Sequence, residues 1–295
     1  MPMQQAILMG VLAVMIYAVA LELKPADFRY VARHPRAVLA GLVAQFALLP
    51  GATFLATLWL DLPASAEAAM LLVAACPGGA MSNVITHFGR GNLALSMSIS
   101  AVSNVLALLF TPLLFAAMVA RNPETAAWAR AIAVDPRDLW ISLFLLLALP
   151  LAAALLTSRF APAWARRLRT PLGRFAVIAL AVFIVAAVAS QWRLFLVELT
   201  RTFPWVVAHN ALGLAAGAGA ARLAGLGARD RRAVTVEGGM QNAGLALGII
   251  AAHFGNDLGM YAVAGLWGIW HLISGSGLAL FWRANDRRRG EAQHA

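Results

Sequence analysis

Apolar stretches long enough to cross a lipid bilayer recur along the whole chain. A bilayer with about 30 Å of hydrocarbon requires a helix of about 20 mostly apolar residues. Of the 295 residues, 61% are apolar and 12% are charged, which is far from the balance of a soluble domain. The sequence predicts nine spans, at about 5–22, 37–60, 67–86, 92–119, 139–157, 171–190, 202–224, 233–254 and 258–282. We therefore expect an all-α polytopic membrane protein with one integral membrane domain over residues 1–295.

The basic residues predict how the chain is oriented. Of the 23 Lys and Arg residues, 18 lie in loops on one side of the predicted spans and five on the other. Because cytoplasmic loops carry the excess, we predict an external N-terminus and a cytoplasmic C-terminus. The formal charge of +10 does not indicate nucleic-acid binding, since no base-stacking aromatics are interleaved with the basic residues. The bias of 22 Arg over one Lys, with abundant Ala, is typical of GC-rich bacteria and favours a bacterial inner membrane.

The residue inventory argues against redox and enzymatic functions. Cys76 is the only cysteine, so a disulfide or a thiolate metal cluster within the chain is excluded, and we interpret Cys76 as a packing residue. The spans contain no His/Asp/Glu metal triad, no Ser beside a base and no second acid for general acid–base work. We predict that the protein is not an enzyme. The first apolar segment lacks a preceding basic region and a clear cleavage site, so we expect it to be retained.

Two predicted spans are interrupted near the middle of the membrane. Residues 76–83 read CPGGAMSN and residues 237–244 read EGGMQNAG. Pro removes a backbone donor and Gly pairs weaken a helix, so freed backbone groups must face protein or a wet cavity. Each run is followed by His-Phe-Gly, at 87–89 and 253–255. The two spans are five apart and cross in opposite directions, a pattern of inverted repeats with discontinuous helices that is typical of secondary transporters.

Glu237 lies deep in a predicted span, whereas the other 12 acidic residues fall in loops, at span ends or in the tails. A charged group at mid-membrane costs about 2.5–3.5 kcal/mol, and no Lys or Arg lies in the interior of a predicted span to pair with it. The counter-charge is then a bound cation or a proton. Sodium suits this position because hard cations prefer several oxygen ligands. Neutral oxygens on candidate facing helices come from Gln45, Ser82, Asn83, Ser96, Ser100 and Gln241.

Interpretations other than a sodium site remain open for these and neighbouring residues. Glu237 could be protonated and act as a structural hydrogen-bonding group. Ser96 and Ser100, four residues apart on one helix face, could serve helix packing. His87, His253 and His271 could carry protons, although a lone histidine near a span end is more often an interfacial hydrogen-bonding residue.

At these residues the sequence resembles the bile acid:sodium symporter family, over nearly the whole chain. The resemblance rests on residues 25–28, 45–46, 76–83, 90–96, 237–242 and 270–275. It implies nine helices, which correspond to the ten-helix bacterial form without its first helix. It also implies inverted repeats with two discontinuous crossing helices in a core domain, packed against a panel domain. The panel-type helices would be about 5–22 and 139–190, and the core-type helices about 37–119 and 202–282, including broken helices at about 67–86 and 233–254.

The resemblance further implies two sodium ions and an organic-anion site. One sodium site would use Ser82, Asn83, Ser96, Ser100 and Glu237. The other would use Gln45, Glu237, Gln241 and the backbone carbonyls of Gly238 and Met240. The substrate region would include Ala80, Asn242, His271 and Leu272.

Two departures from the family pattern bear on the substrate. Ala80 stands where bacterial relatives often have Thr, and Leu272 stands where they often have Asn, so polar contacts are missing and a bile acid is not implied. We therefore expect a sodium-coupled symporter of a small organic anion that works by alternating access. The alternative is a proton-coupled or uncoupled exporter of the related arsenite or auxin type, with Glu237 as its proton site. The sodium-site oxygens favour the symporter.

Overall fold

The described part of the protein is almost entirely helical. The computed structural model describes residues 3–21, 25–60, 62–132, 136–190, 192–254 and 257–294. Within these ranges the only β-structure is one isolated bridge. The helices are α1 (Met3–Ala20), α2 (Pro25–Arg33), α3 (Pro35–Val43), α4 (Leu49–Thr57), α5 (Ala64–Ala75), α6 (Ala80–Phe88), α7 (Leu93–Arg121), α8 (Pro123–Ala131), α9 (Pro136–Phe160), α10 (Pro162–Ser190), α11 (Trp192–Leu223), α12 (Ala228–Gly239), α13 (Ala243–His253) and α14 (Leu258–His294).

The lengths and composition of these helices suit a polytopic membrane protein, as predicted. Helices long and apolar enough to cross a bilayer are Pro35–Thr57, Leu93–Arg121, Leu143–Phe160 and Leu258–Arg288. Shorter apolar helices are Met9–Ala20, Ala64–Ala75 and Ala243–His253. Each of the nine predicted spans coincides with helical residues. The number of membrane crossings, nine, stays a prediction.

A π-helical segment, Ala44–Leu48, joins α3 to α4 without ending the helix. Pro50 follows this segment closely. Proline has no backbone N–H and its ring clashes with the carbonyl four residues earlier, which here belongs to Phe46. A wider π turn relieves this conflict, and such turns often occur at functional sites. The buried Gln45 lies in this segment.

Two of the predicted spans are broken at the predicted motifs. The first break separates α5 from α6, and the residue before Pro77, Cys76, is extended at φ −89° and ψ 112° because proline disfavours a helical conformation just before it. The second break separates α12 from α13. There Met240 leaves the helix after two glycines, and Asn242 begins α13 by accepting a hydrogen bond from the Leu245 amide.

The structure contains elements that the sequence interpretation placed in loops or at span ends. The short helices α2 and α8 occupy predicted loops. Glu67, at the predicted edge of a span, lies in the first turn of α5 and is fully buried, where it accepts a hydrogen bond from Asn122 Nδ2 at 3.2 Å. Glu237 is therefore not the only buried carboxylate among the described helices.

Helices α11 and α12 pack with their backbones in close approach. A Cβ on Gly217 would lie 2.5 Å from the Val234 carbonyl oxygen, and one on Gly213 would lie 2.7 Å from the Gly238 carbonyl oxygen. Glycines four residues apart allow such contacts between membrane helices. This packing places the end of α12, with Glu237, in the protein interior.

Candidate functional site

The two helix breaks lie directly against each other. Gly78 and Gln241 form an antiparallel β-bridge, and the Asn242 amide donates a hydrogen bond to the Pro77 carbonyl at 2.9 Å. Backbone groups that lose their helical partners at one break thus form hydrogen bonds with the other break. Lipid could not supply such partners. As a result, the ends of α5, α6, α12 and α13 meet at one place.

At this meeting point the carboxylate of Glu237 is completely buried and surrounded by hydrogen-bond donors. Its Oε1 accepts from Ser82 Oγ at 2.6 Å, from Ser96 Oγ at 2.5 Å and from Ser100 Oγ at 3.0 Å. Its Oε2 accepts from Gln45 Nε2 at 3.1 Å. Four of the predicted neutral site residues therefore contact Glu237 directly, from α6, α7 and the π-helical segment.

The local structure explains why these side chains converge. Ser96 and Ser100 are four residues apart in α7 and so lie on one helix face, and both hydroxyls donate to Glu237 rather than only filling space. Gln45 Nε2 donates to the Glu237 backbone carbonyl at 3.0 Å as well as to its side chain. That carbonyl is one of those left without a helical partner where α12 ends. The Gln45 amide group therefore bonds both to the carboxylate of the site and to the backbone at the break.

Three buried amide oxygens of predicted site residues have no hydrogen-bond partner in the described part of the chain. They are Gln45 Oε1, Asn83 Oδ1 and Gln241 Oε1. The orientation of two of these amides is fixed, since Gln45 Nε2 donates to Glu237 and Gln241 Nε2 donates to the Gly238 carbonyl at 3.0 Å. A buried acceptor without a donor is costly unless something else satisfies it. Amide and carboxylate oxygens are the donor set that suits a hard cation.

Gly78 leaves room beside the polar atoms of the second predicted sodium site. A Cβ on Gly78 would lie 2.9 Å from Gln45 Nε2, 2.9 Å from Glu237 Oε2 and 3.1 Å from the Met240 carbonyl oxygen. The absence of a side chain at this position lets these atoms approach one another. The residues present therefore fit a cation bound beside Glu237.

The charge of Glu237 is not matched by a basic side chain among the described residues. The ion pairs formed there join Arg232 and Arg90 to Asp286, at 2.6 and 3.9 Å, and none of them reaches Glu237. The serine hydroxyls and the Gln45 amide supply dipoles but no full positive charge. The geometry therefore leaves a bound cation or a proton as the counter-charge.

The predicted substrate residues that the structure describes have different surroundings. Asn242 lines a small cavity, about 40 Å³, between α1, α7, α9 and α13, together with Asn104. His271 is buried and its Nδ1 contacts the Trp267 carbonyl of its own helix at 2.7 Å, while Leu272 packs against the cluster around Ile85. Neither of these residues lines that cavity. The side chain of Ala80 lies outside the described residues.

Polar residues that the sequence interpretation missed support both breaks. Asn210 Nδ2 on α11 donates to the Gly239 carbonyl at 2.8 Å, and its Oδ1 accepts from Ser274 Oγ on α14 at 2.6 Å. Thr111 Oγ1 on α7 donates to the Ala75 carbonyl at 2.8 Å. These residues could have been found in the sequence as polar residues inside long apolar helices, since such groups need partners within the protein.

Buried helices that are broken around a carboxylate, in a protein with several apolar helices, are typical of one class of protein, the secondary transporters. The profile of the Sodium Bile acid symporter family matches residues 9–198, and the chain belongs to this family. The family resemblance seen in the sequence motifs is thereby confirmed. The family consists of transporters rather than enzymes.

Individual relatives extend this similarity over most of the chain. The uncharacterized sodium-dependent transporter YocS of Bacillus subtilis is 31% identical over 278 residues, covering 94% of this chain and 83% of that protein. The probable sodium/metabolite cotransporter BASS1, chloroplastic, of Oryza sativa is 29% identical over 86% of this chain, which spans 61% of the rice protein. The sodium-dependent organic anion transporter of Mus musculus is 37% identical over 81 residues, 28% of this chain and 22% of the mouse protein.

Proposed function

We propose that the protein is a sodium-coupled symporter of a small organic anion. The observation that carries this proposal is the fully buried Glu237 carboxylate, which has hydroxyl and amide donors but no basic partner among the described residues. Relatives that carry sodium-dependent names support the choice of cation. Sodium neutralises the carboxylate and so allows the charge to remain in a place that lipid and water do not reach.

Two sodium ions share Glu237 in this proposal. The first is bound by Ser82, Asn83, Ser96 and Ser100 as well as Glu237, and the second by Gln45, Gln241 and the carbonyls of Gly238 and Met240 as well as Glu237. The unpartnered oxygens of Gln45, Asn83 and Gln241 support this assignment, because each belongs to one of the two sets. With sodium bound, some serine hydroxyls rotate so that their protons leave Glu237 and their oxygen lone pairs face the ion.

Proton coupling accounts for fewer of these features. A proton on Glu237 removes its charge, but it gives nothing to the Gln45 and Gln241 amide oxygens, which lack donors in the described part of the protein. A cation satisfies the carboxylate and the amide oxygens together. The sodium-coupled function is therefore preferred over the proton-coupled or uncoupled exporter.

An organic anion is the proposed co-substrate. The name of the mouse relative, an organic anion transporter, supports this class, and that of the rice relative, a metabolite cotransporter, is compatible with it. Helix α6 begins at Gly79 without a side-chain cap, whereas Asn242 caps α13. Partial positive charge at an uncapped helix N-terminus favours a carboxylate without requiring a buried arginine.

The cavity beside Asn242 supports alternating access between two groups of helices. Its walls come from α1 and α9, which are predicted to be panel-type, and from α7 and α13, which are predicted to be core-type. At about 40 Å³ it has room for only a few water molecules. Substrate entry therefore requires the two groups to move apart. We further propose that the protein lies in the bacterial inner membrane with its N-terminus outside.

The test is sodium binding by the purified protein, measured before any substrate is known. We expect NaCl to raise the melting temperature above that in KCl at equal ionic strength and fixed pH, because a ligand that binds the folded state stabilises it. Glu237→Gln should abolish this difference. Glu67→Gln is the matched control, since it also neutralises a buried carboxylate, about 14 Å along the helix from the first break, and should keep the sodium response.

Uptake into proteoliposomes extends the test to transport. With pyruvate and taurocholate as probes of two anion classes, we expect uptake of at least one to require sodium on the outside. Equal melting temperatures in NaCl and KCl for the wild type would contradict sodium coupling. A sodium response that survives Glu237→Gln would instead contradict the site assignment alone.

A further inference from the structure

A second region of the molecule, nearer the start of α12 than Glu237, combines positive charge with apolar surface. A cleft of about 420 Å³ lies between the end of α11, the start of α12 and the C-terminal half of α14. One wall carries Arg222 and Arg231, and the other carries Leu278 and Phe281. This cleft is roughly ten times larger than the cavity beside Asn242.

The basic wall of the cleft carries uncompensated charge. Arg232 is neutralised by Asp286, with bonds of 2.8 and 2.6 Å from its two terminal nitrogens, and its guanidinium lies 5.5 Å from the Trp282 ring. Arg222 and Arg231 are exposed and take part in no ion pair within the described ranges of the chain. The cleft thus presents two free guanidinium groups beside one that is held in place.

The opposite wall is apolar and partly exposed. Phe281 on this wall is 58% exposed and belongs to a helix whose apolar stretch is long enough to cross a bilayer. The next turn of α14 carries Arg283, Asn285 and Asp286, so the apolar surface ends at the level of the basic wall. A group bound there would contact arginines on one side and extend along apolar side chains on the other.

We propose that this cleft binds the headgroup of an anionic phospholipid, with its phosphate between Arg222 and Arg231 and its acyl chains along Leu278 and Phe281. Basic clefts between membrane helices at the headgroup level attract anionic lipids. Arginine forms paired hydrogen bonds to phosphate oxygens, which a lysine cannot reproduce. The adjoining apolar wall distinguishes a lipid from free phosphate, which would gain nothing from it. This inference does not depend on sodium coupling.

A lipid titration of the purified full-length protein tests the proposal. Melting temperatures are measured in detergent with added palmitoyl-oleoyl phosphatidylglycerol, with the same amount of the zwitterionic phosphatidylcholine, and with inorganic phosphate. We expect phosphatidylglycerol alone to raise the melting temperature in a saturable way. The double variant Arg222→Gln/Arg231→Gln should weaken this response by about 30-fold in lipid concentration, because each basic residue contributes about fivefold near an anionic headgroup.

The matched control removes the same charge elsewhere. Arg166→Gln/Arg167→Gln changes two exposed arginines of α10, which lie outside the cleft, and should respond to phosphatidylglycerol like the wild type. An equal loss in both double variants would overturn the proposal in favour of general surface charge. Stabilisation by inorganic phosphate, or equal stabilisation by both lipids, would also overturn it.

A measurement on the wild type keeps the proposal testable if the double variant does not fold. Native mass spectrometry of protein released from nanodiscs with equal amounts of the two lipids should show retained phosphatidylglycerol in excess over phosphatidylcholine. Retention in the ratio of the bilayer would contradict a specific site.

Discussion

The two helix breaks serve the same site but are held very differently. At the end of α12, side-chain amides cover three successive freed carbonyls: Gln45 bonds to that of Glu237, Gln241 to that of Gly238, and Asn210 to that of Gly239. At the end of α5, a hydroxyl from Thr111 bonds to the carbonyl of Ala75.

Packing around the two Gly pairs shows the same contrast. A Cβ on Gly238 would lie 2.8 Å from the Gly213 carbonyl oxygen and 2.8 Å from Gly217 Cα, which are backbone atoms of α11. A Cβ on Gly79 would meet nothing closer than the Asn242 side chain at 3.6 Å. Gly238 is therefore held tightly by backbone atoms of α11, whereas Gly79 has only ordinary van der Waals contact beside it, and Gly78 of the same pair is close mainly to atoms of the site. This difference suggests that α12 provides a fixed ligand and that the first break adjusts around it.

The largest predicted effect concerns neighbouring glycines of the first break. Gly78→Ala should raise the sodium concentration needed for half-maximal stabilisation by about tenfold or more. The reason is that its Cβ would occupy space between Gln45, Glu237 and the Met240 carbonyl. Gly79→Ala is the matched control and should leave the response near that of the wild type. Sodium-dependent melting temperature measures both. If Gly78→Ala responds like Gly79→Ala, the cation does not lie beside Gly78.

A smaller effect is expected on the free energy of unfolding, which should differ between glycine variants of the two breaks. Gly238→Ala should destabilise the protein by about 1–3 kcal/mol, since the contacting atoms are backbone and cannot move aside. Gly79→Ala should change stability by less than about 1 kcal/mol. Thermal unfolding without sodium gives both values. Equal melting temperatures for Gly238→Ala and Gly79→Ala would contradict the tighter packing around Gly238.

The smallest predicted effect is a difference in stability between two variants. Each variant removes a side chain that bonds to the last carbonyl of a broken helix. Asn210→Leu and Thr111→Val each leave a buried carbonyl without its donor, at a cost of about 1–3 kcal/mol. Asn210→Leu should be at the upper end, because Ser274 Oγ also loses its bond to Asn210 Oδ1. Melting temperatures should fall by about 2–4 °C for each kcal/mol. A larger fall for Thr111→Val would reverse the proposed order of support.

The sequence predicted those features that follow from composition and local chemistry. Pro77 and the Gly pairs located both breaks, because their effect on a helix does not depend on tertiary contacts. The isolated Glu237 located the site, and the spacing of Ser96 and Ser100 predicted a shared face. Bile acid:sodium symporter motifs supplied the family, which a separate profile match confirmed.

Features that depend on packing between distant helices could not be predicted in this way. The bond from Asn210 to Gly239 requires α11 and α12 to approach through Gly213 and Gly217, and no local pattern states which helices are neighbours. Glu67 was placed at a span edge, and neither its burial nor its hydrogen bond from Asn122, 55 residues later, can be read from the local sequence. His271 and Leu272 were assigned by motif position, and their surroundings depend on how α14 packs.

The bridge between Gly78 and Gln241 also determines when the site can be completed during biosynthesis. The residues it joins are 163 positions apart, so the hydroxyls of α6 and α7 are made long before α12. At about 5–20 residues per second, the ribosome needs about 7–27 s to proceed from Ser100 to Glu237. The carboxylate is therefore made after all the hydroxyl groups that bond to it, and a nascent chain that stalls in α11 carries a set of neutral oxygens without the charge that they surround.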